Sequence, residues 1–300
     1  MARAMDTRTD HPADTPEDAH DASRHKPAST ATFAMVGAGG RRLRVGQWHA
    51  DAPGTPLVVL NGIGMNIEML EPVARQCPGR RVISIDMPGI GRSPDPVFPY
   101  TIPQIALTLA ALLDRLKIDV VDMLGISWGG AVAQQFAFQH RARTRRLVLA
   151  ATAAGNVMIP GQTGPGLGLL LDPAEYTMER LLRRNLATLY NGGGSGRVSL
   201  NAATAPSPLG WACQLGAFAA WNSAPVLPLL ALPVLIMADS DDQLVPVANA
   251  HVLHNAIPGS RLQLFEGGGH LFMLSRPAGF ARVLNAFLDE QATGEEHRAA

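Results

Sequence analysis

Six short apolar runs constrain this chain more than any other feature: "LVVLN" (57–61), "RVISID" (81–86), "VDMLGI" (121–126), "RLVLAA" (146–151), "VLIMA" (234–238) and "LQLF" (262–265). Each is strand length and carries almost no polar face. Between and after them lie stretches of helical character, at about 66–76, 103–117, 129–140, 246–256 and 276–290. Buried strands alternating with helices predict an α/β fold with a mostly parallel central sheet and helices on both faces. Ahead of the first run, "ATFAMVGAGGRRLRVGQWHA" reads as two strands around a glycine-rich turn.

The rhythm breaks over about 155–225, where "PGQTGPGLG", "YNGGGSGR" and "TAPSPLGW" surround one helix candidate at about 173–188. The sequence predicts an inserted cap there, folding over the carboxyl edge of the sheet, where open α/β sheets bind ligands. Trp211, Phe218 and Trp221 supply it with apolar bulk. Residues 1–32 have no apolar secretory core, are rich in Asp, Thr, Pro, His and Ala, and read as a disordered tail. The folded domain is expected over 33–290, followed by a flexible tail at 291–300.

Charge excludes some classes of partner. Twenty-five basic and 25 acidic side chains cancel, so no basic field exists to attract nucleic acid. The longest apolar stretch, 224–238, is broken by Pro225, Pro228 and Pro233 and is too short to span a bilayer, so no integral membrane contact is expected. Cys77 and Cys213 have no metal-ligand or disulfide-framework spacing.

"LGISWGGAVAQQ" (124–135) runs from a strand through a turn into an alanine-rich helix, with Gly125-Ile126-Ser127-Trp128-Gly129 at the turn. This is the G-x-S-x-G nucleophile elbow. A serine in so sharp a turn adopts a strained backbone, and side chains two positions either side would strike the neighbouring strand and helix, hence glycine. The helix that follows directs its positive end at the serine.

A serine nucleophile needs a base, and the base needs an orienting acid, here in the chain order Ser, acid, His. His11, His20, His25 and His297 lie in the tails, His49 and His140 precede any acid in that order, and His251 and His254 lie on a helix. His270 remains, in a loop after "LQLF" and "EGGG". Asp239, Asp241 and Asp242 all follow the run 234–238; Asp242 is favoured as the acid, with the other two as turn or cap groups. The expected oxyanion donors are the main-chain N–H groups of Trp128 and of Ile63, the latter in the turn "NGIGMN" where Gly62 and Gly64 give room. Many chains of this fold carry His-Gly where this one has Asn61-Gly62. "DMPGIGRS" (86–93) completes no phosphate-loop motif and reads as a structural turn in which Asp86 and Ser93 hold backbone. This chemistry requires neither a metal nor a cofactor.

The segments "NGIGMNIEMLEPV", "DMPGIGRSPDP", "GISWGGAVAQQFA", "LVLAATAAGNVMIPG", "LYNGGG" and "GGGHLFMLSRP" together resemble the intracellular poly(3-hydroxyalkanoate) depolymerases of the medium-chain-length type, which have the α/β-hydrolase fold. The resemblance spans roughly 33–290; the N-terminal tail lies outside it and much of 190–211 diverges. It implies a Ser127, Asp242, His270 triad and a substrate held as cytoplasmic polyester granules, onto which exposed apolar cap residues would dock. Three other readings remain at this point: a soluble carboxylesterase or lipase with the same triad, a cofactor-free perhydrolase, and a granule-binding protein with a vestigial site. Polymer synthases of this fold use cysteine at the elbow, so Ser127 favours hydrolysis.

Overall fold

Along the central strands successive residues go to opposite sides of the sheet and build two separate apolar cores. A computed structural model describes residues 31–161 and 204–291. In it the elements run β1 (Thr32–Ala38), β2 (Arg41–Leu60), α1 (Glu71–Ala74), β3 (Arg80–Ile85), α2 (Ile102–Arg115), β4 (Val121–Ile126), α3 (Trp128–Gln139) and β5 (Thr144–Ala150). Beyond the undescribed residues come α4 (Pro208–Ala219), β6 (Val234–Asp239), α5 (Ala248–Ala256), β7 (Arg261–Phe265), α6 (Phe272–Ser275) and α7 (Pro277–Asp289). Val58, Leu60, Leu147, Leu149 and Ile236 face one core with α2, α3 and α5. Leu57, Val59, Val148, Ala150 and Met237 face the other, with α1 and α7.

The seven-stranded sheet has the order β1-β2-β4-β5-β6-β7, with β3 paired to β2. β2 explains this branching. Its first half runs antiparallel to β3, with Val45 opposite Ile85 and Trp48 opposite Val82. Its last residues rise in step with β3, Leu57 opposite Val82 and Val59 opposite Ser84. The two halves therefore flank β3, and the second pairs in parallel with β4. β4, β5, β6 and β7 continue the parallel array. β1 and β2 meet through Gly39 and Gly40, both at positive φ, as a two-residue hairpin turn matching the strand twist requires.

The structure amends the sequence reading at three places. "LVVLN" is the end of β2 rather than a strand of its own. The helix expected over 66–76 is a 3-10 turn at Ile67–Leu70 joined to the four residues of α1. Pro72 lacks the N–H for one helical bond, and Pro78-Gly79 stop the segment. "LQLF" is not a buried strand: β7 is the edge of the sheet, and Leu264 is 40% exposed. The helix candidate at about 173–188, the tails 1–30 and 292–300, and the middle of the expected cap (162–203) lie outside the described residues. The described part of the insertion buries Trp211 and Trp221. Among the described residues no helix is long and apolar enough to cross a membrane.

Candidate active site

The loops after β2, β4, β6 and β7 converge at the carboxyl edge of the sheet. Ser127 stands between β4 and α3 with φ 51° and ψ −118°, a conformation costing about 1–3 kcal/mol that the surrounding structure must enforce. Its N–H donates to Ala150 O at 2.9 Å, and its carbonyl accepts from Thr152 Oγ1 at 2.7 Å and from Gly130 N at 2.9 Å. The flanking glycines are there for space. A Cβ on Gly125 would lie 2.6 Å from Gly130 Cα and 2.7 Å from Ala133 Cβ, and one on Gly129 would overlap the carbonyl of Leu60. Glycine at 125 thus lets strand β4 meet helix α3, and glycine at 129 lets the helix pass against the end of β2. The result leaves the serine side chain partly exposed among buried neighbours.

His270 and Asp242 arrive from loops stapled to each other. Ser127 Oγ is 3.1 Å from His270 Nε2, and His270 Nδ1 is 2.8 Å from Asp242 Oδ2. The Asp242 side chain is fully buried and that of His270 almost so. Asp242 Oδ1 accepts the N–H groups of Leu244 and Val245 at 2.9 and 2.8 Å, which leaves Oδ2 for the imidazole. The remaining aspartates of the cluster reach the histidine loop. Asp239 Oδ2 accepts from Gly268 N at 2.9 Å, and Asp241 Oδ2 from Gly267 N at 2.6 Å. Gly267 and Gly269 sit at φ 70° and 66°, and a Cβ on Gly268 would lie 2.6 Å from Phe272 Cβ. Asp239 also accepts from Asp241 N at 3.0 Å, so it is a turn group as expected and, beyond that, an anchor for the His270 loop.

Ile63 lies in the turn after β2, next to Gly62, where a Cβ would lie 3.5 Å from Ser127 Cβ. Asn61 Nδ2 donates to Asn66 O at 2.8 Å and closes this turn from within. Trp128 is the first residue of α3, so its N–H has no acceptor within the helix. "DMPGIGRS" is structural, as read. Asp86 accepts from Ile67 N at 2.8 Å and Arg92 N at 3.0 Å, while Ser93 Oγ donates to Asp86 O and accepts from Arg44 N. The two thiols do not rival Ser127. Both are free and buried, and burial pushes Cys77 up to about 11. Among the described residues no cluster of His, Cys, Asp or Glu has metal-holding geometry.

Sequence reasoning missed the glutamines. Gln134 Nε2 donates to Gly130 O and Ala153 O, both at 3.1 Å, and its Oε1 accepts from Ser223 Oγ at 2.7 Å. Gln135 Oε1 accepts from the Trp221 indole at 2.7 Å. Gln214 Oε1 accepts from Gly64 N at 2.8 Å, and its main-chain carbonyl accepts from the Trp128 indole at 2.9 Å. Each is a polar residue inside an otherwise apolar helix, which was the available signal. Together they fasten the returning end of the insertion to the elbow.

The alpha/beta hydrolase fold family model matches residues 55–277, and the chain belongs to that family. Within it, the chain is 37% identical over 243 residues to a poly(3-hydroxyalkanoate) depolymerase of Ectopseudomonas oleovorans, covering 79% of this chain and 85% of the relative. It is 28% identical to a pimeloyl-[acyl-carrier protein] methyl ester esterase of Neisseria meningitidis, over 77% of this chain and 92% of the other. Among solved structures, the enol-lactonase from Burkholderia xenovorans LB400 superposes with a TM-score of 0.75 at 24% identity, covering 86% of this chain and all of that one, a likeness of fold.

Proposed function

We propose that this enzyme depolymerises poly(3-hydroxyalkanoate) of the medium-chain type, through an acyl-enzyme on Ser127. Membership of the carboxylic ester hydrolases follows from the family match and the depolymerase relative. The observation that carries the mechanism is the relay from Ser127 Oγ to His270 Nε2 to Asp242 Oδ2, at 3.1 and 2.8 Å, on the carboxyl edge of the sheet. His270 takes the serine proton as Oγ attacks an ester carbonyl, and the Ile63 and Trp128 N–H groups receive the developing oxyanion. The imidazole then protonates the departing 3-hydroxyl. A water that it deprotonates next attacks the acyl-enzyme and frees a 3-hydroxy acid or oligomer. Asp242 holds the imidazole tautomer and stabilises its charged form.

The polymer as substrate is supported by the depolymerase relative at 37% identity. The enzyme then works on cytoplasmic granules, meeting them through its cap. The test compares wild type with Ser127→Ala on amorphous medium-chain polyester granules, beside hydrolysis of nitrophenyl octanoate. Clearing by wild type alone, with release of 3-hydroxy acids, is the expected outcome. The Ser127→Ala rate is expected to fall roughly 10⁴-fold or more. Ester hydrolysis without clearing would make the chain an esterase of small acyl esters, a reading favoured by its likeness to the methyl ester esterase.

A further inference from the structure

Gln214 stands on α4, in the insertion between β5 and β6, yet it touches both segments assigned above to the oxyanion. It is 1% exposed. Its side-chain oxygen takes the N–H of Gly64, one peptide beyond Ile63, and its main-chain oxygen takes the indole of Trp128. Gly64 is buried and at φ 70°. A buried N–H in a left-handed turn must find an acceptor, and turning it elsewhere would rotate the Ile63–Gly64 peptide, which is joined at the Ile63 Cα to the peptide that carries the Ile63 N–H. The other end of the turn is closed by the Met65 N–H on Gly62 O at 3.3 Å. The Ile63 amide therefore lies in a loop pinned on one side by its own backbone and on the other by Gln214. Packing of α4 makes that pin firm: Ser207 N donates to Gly89 O at 2.9 Å, and Gly210 has no room for a Cβ against Gly89.

We propose that Gln214 is a positioning residue, through which the insertion sets the aim of the Ile63 N–H at the oxyanion. This rests on the serine-hydrolase reading above. Gln214→Met removes the acceptor for Gly64 while keeping length and the main-chain bond to Trp128; Gln214→Asn draws the oxygen back by one methylene; Gln214→Glu retains an oxygen acceptor. For nitrophenyl octanoate, kcat is expected to fall about 10- to 100-fold in Gln214→Met and Gln214→Asn, with KM little changed. That is less than the effect of deleting an oxyanion donor outright. Gln214→Glu is expected to restore most of kcat. Affinity for an alkyl boronic acid, whose tetrahedral adduct on Ser127 places an oxygen in the same pocket, should fall in parallel with kcat. If Gln214→Met does not fold, Gln214→Asn carries the same expectation. Unchanged kcat in a folded acceptor-free variant would overturn the proposal. So would a rise in KM alone, or loss of kcat with boronate affinity intact. Failure of the parent reading is separately visible, as activity surviving in Ser127→Ala.

Discussion

β4 has a buried aspartate near its start and a strained serine just past its end, and the two are held in opposite ways. Asp122 is fully buried and takes Arg145 through both oxygens, at 2.9 and 2.5 Å, and Arg80 at 3.2 Å. Arg80 continues to Asp289 and Arg145 to the carbonyl of Leu288, so this cluster ties the last helix to the amino edge of the sheet. Its cations never change charge. At the other end the buried carboxylate of Asp242 meets an imidazole, a group that can gain and lose a proton during a reaction. The amino end is a fixed ionic clamp. The carboxyl end carries the strained Ser127, the crowded glycines of the elbow and the exchangeable proton. One strand thus separates stability from chemistry, and substitutions at its two ends should separate as well.

The largest expected effect is at the carboxyl end. In Asp242→Asn the amide oxygen can keep the Leu244 and Val245 N–H groups, which turns the amide NH₂ toward His270 Nδ1. The imidazole then carries its proton on Nε2 and cannot accept from Ser127, and kcat is expected to fall about 10⁴-fold. The melting temperature should stay close to that of wild type. A variant with near-normal kcat would remove the relay from the mechanism.

The amino end should show the reverse. Asp122→Ala leaves Arg80 and Arg145 without their shared acid and is expected to cost about 3–5 kcal/mol in urea unfolding. The kcat of the folded fraction should be unchanged. Asp122→Asn should cost less, because burial already pushes the Asp122 carboxyl above the usual carboxylate range against the pull of Arg145 and Arg80. Lost kcat without lost stability would show that the two ends are coupled.

The same division explains what could be read from the sequence. Strand runs such as "RLVLAA" and the elbow "GISWG" are local patterns, and β5 and the Ser127 turn fall where those patterns put them. "LQLF" is as apolar as a central strand, and its edge position depends on which strand pairs with it, information that a local run does not contain. Asp239 ends one strand and Asp241 and Asp242 follow it, and the place of Asp242 just ahead of the next helix favours it as the acid. Only the geometry shows two aspartates holding the glycines of the histidine loop while the third faces the imidazole. Gln214 lies 150 residues from the amide it holds, and the sequence marks it only as a polar residue in an apolar helix.

The central claim is that Ser127 is the nucleophile, and covalent trapping tests it most directly. Wild-type protein treated with an alkyl fluorophosphonate should gain one phosphonyl group per chain, mapped by mass spectrometry to the peptide containing Ser127. Hydrolysis of nitrophenyl octanoate should vanish in step with that modification, and Ser127→Ala should remain unlabelled. A label on another residue, or ester hydrolysis persisting after Ser127 is fully modified, would contradict the account.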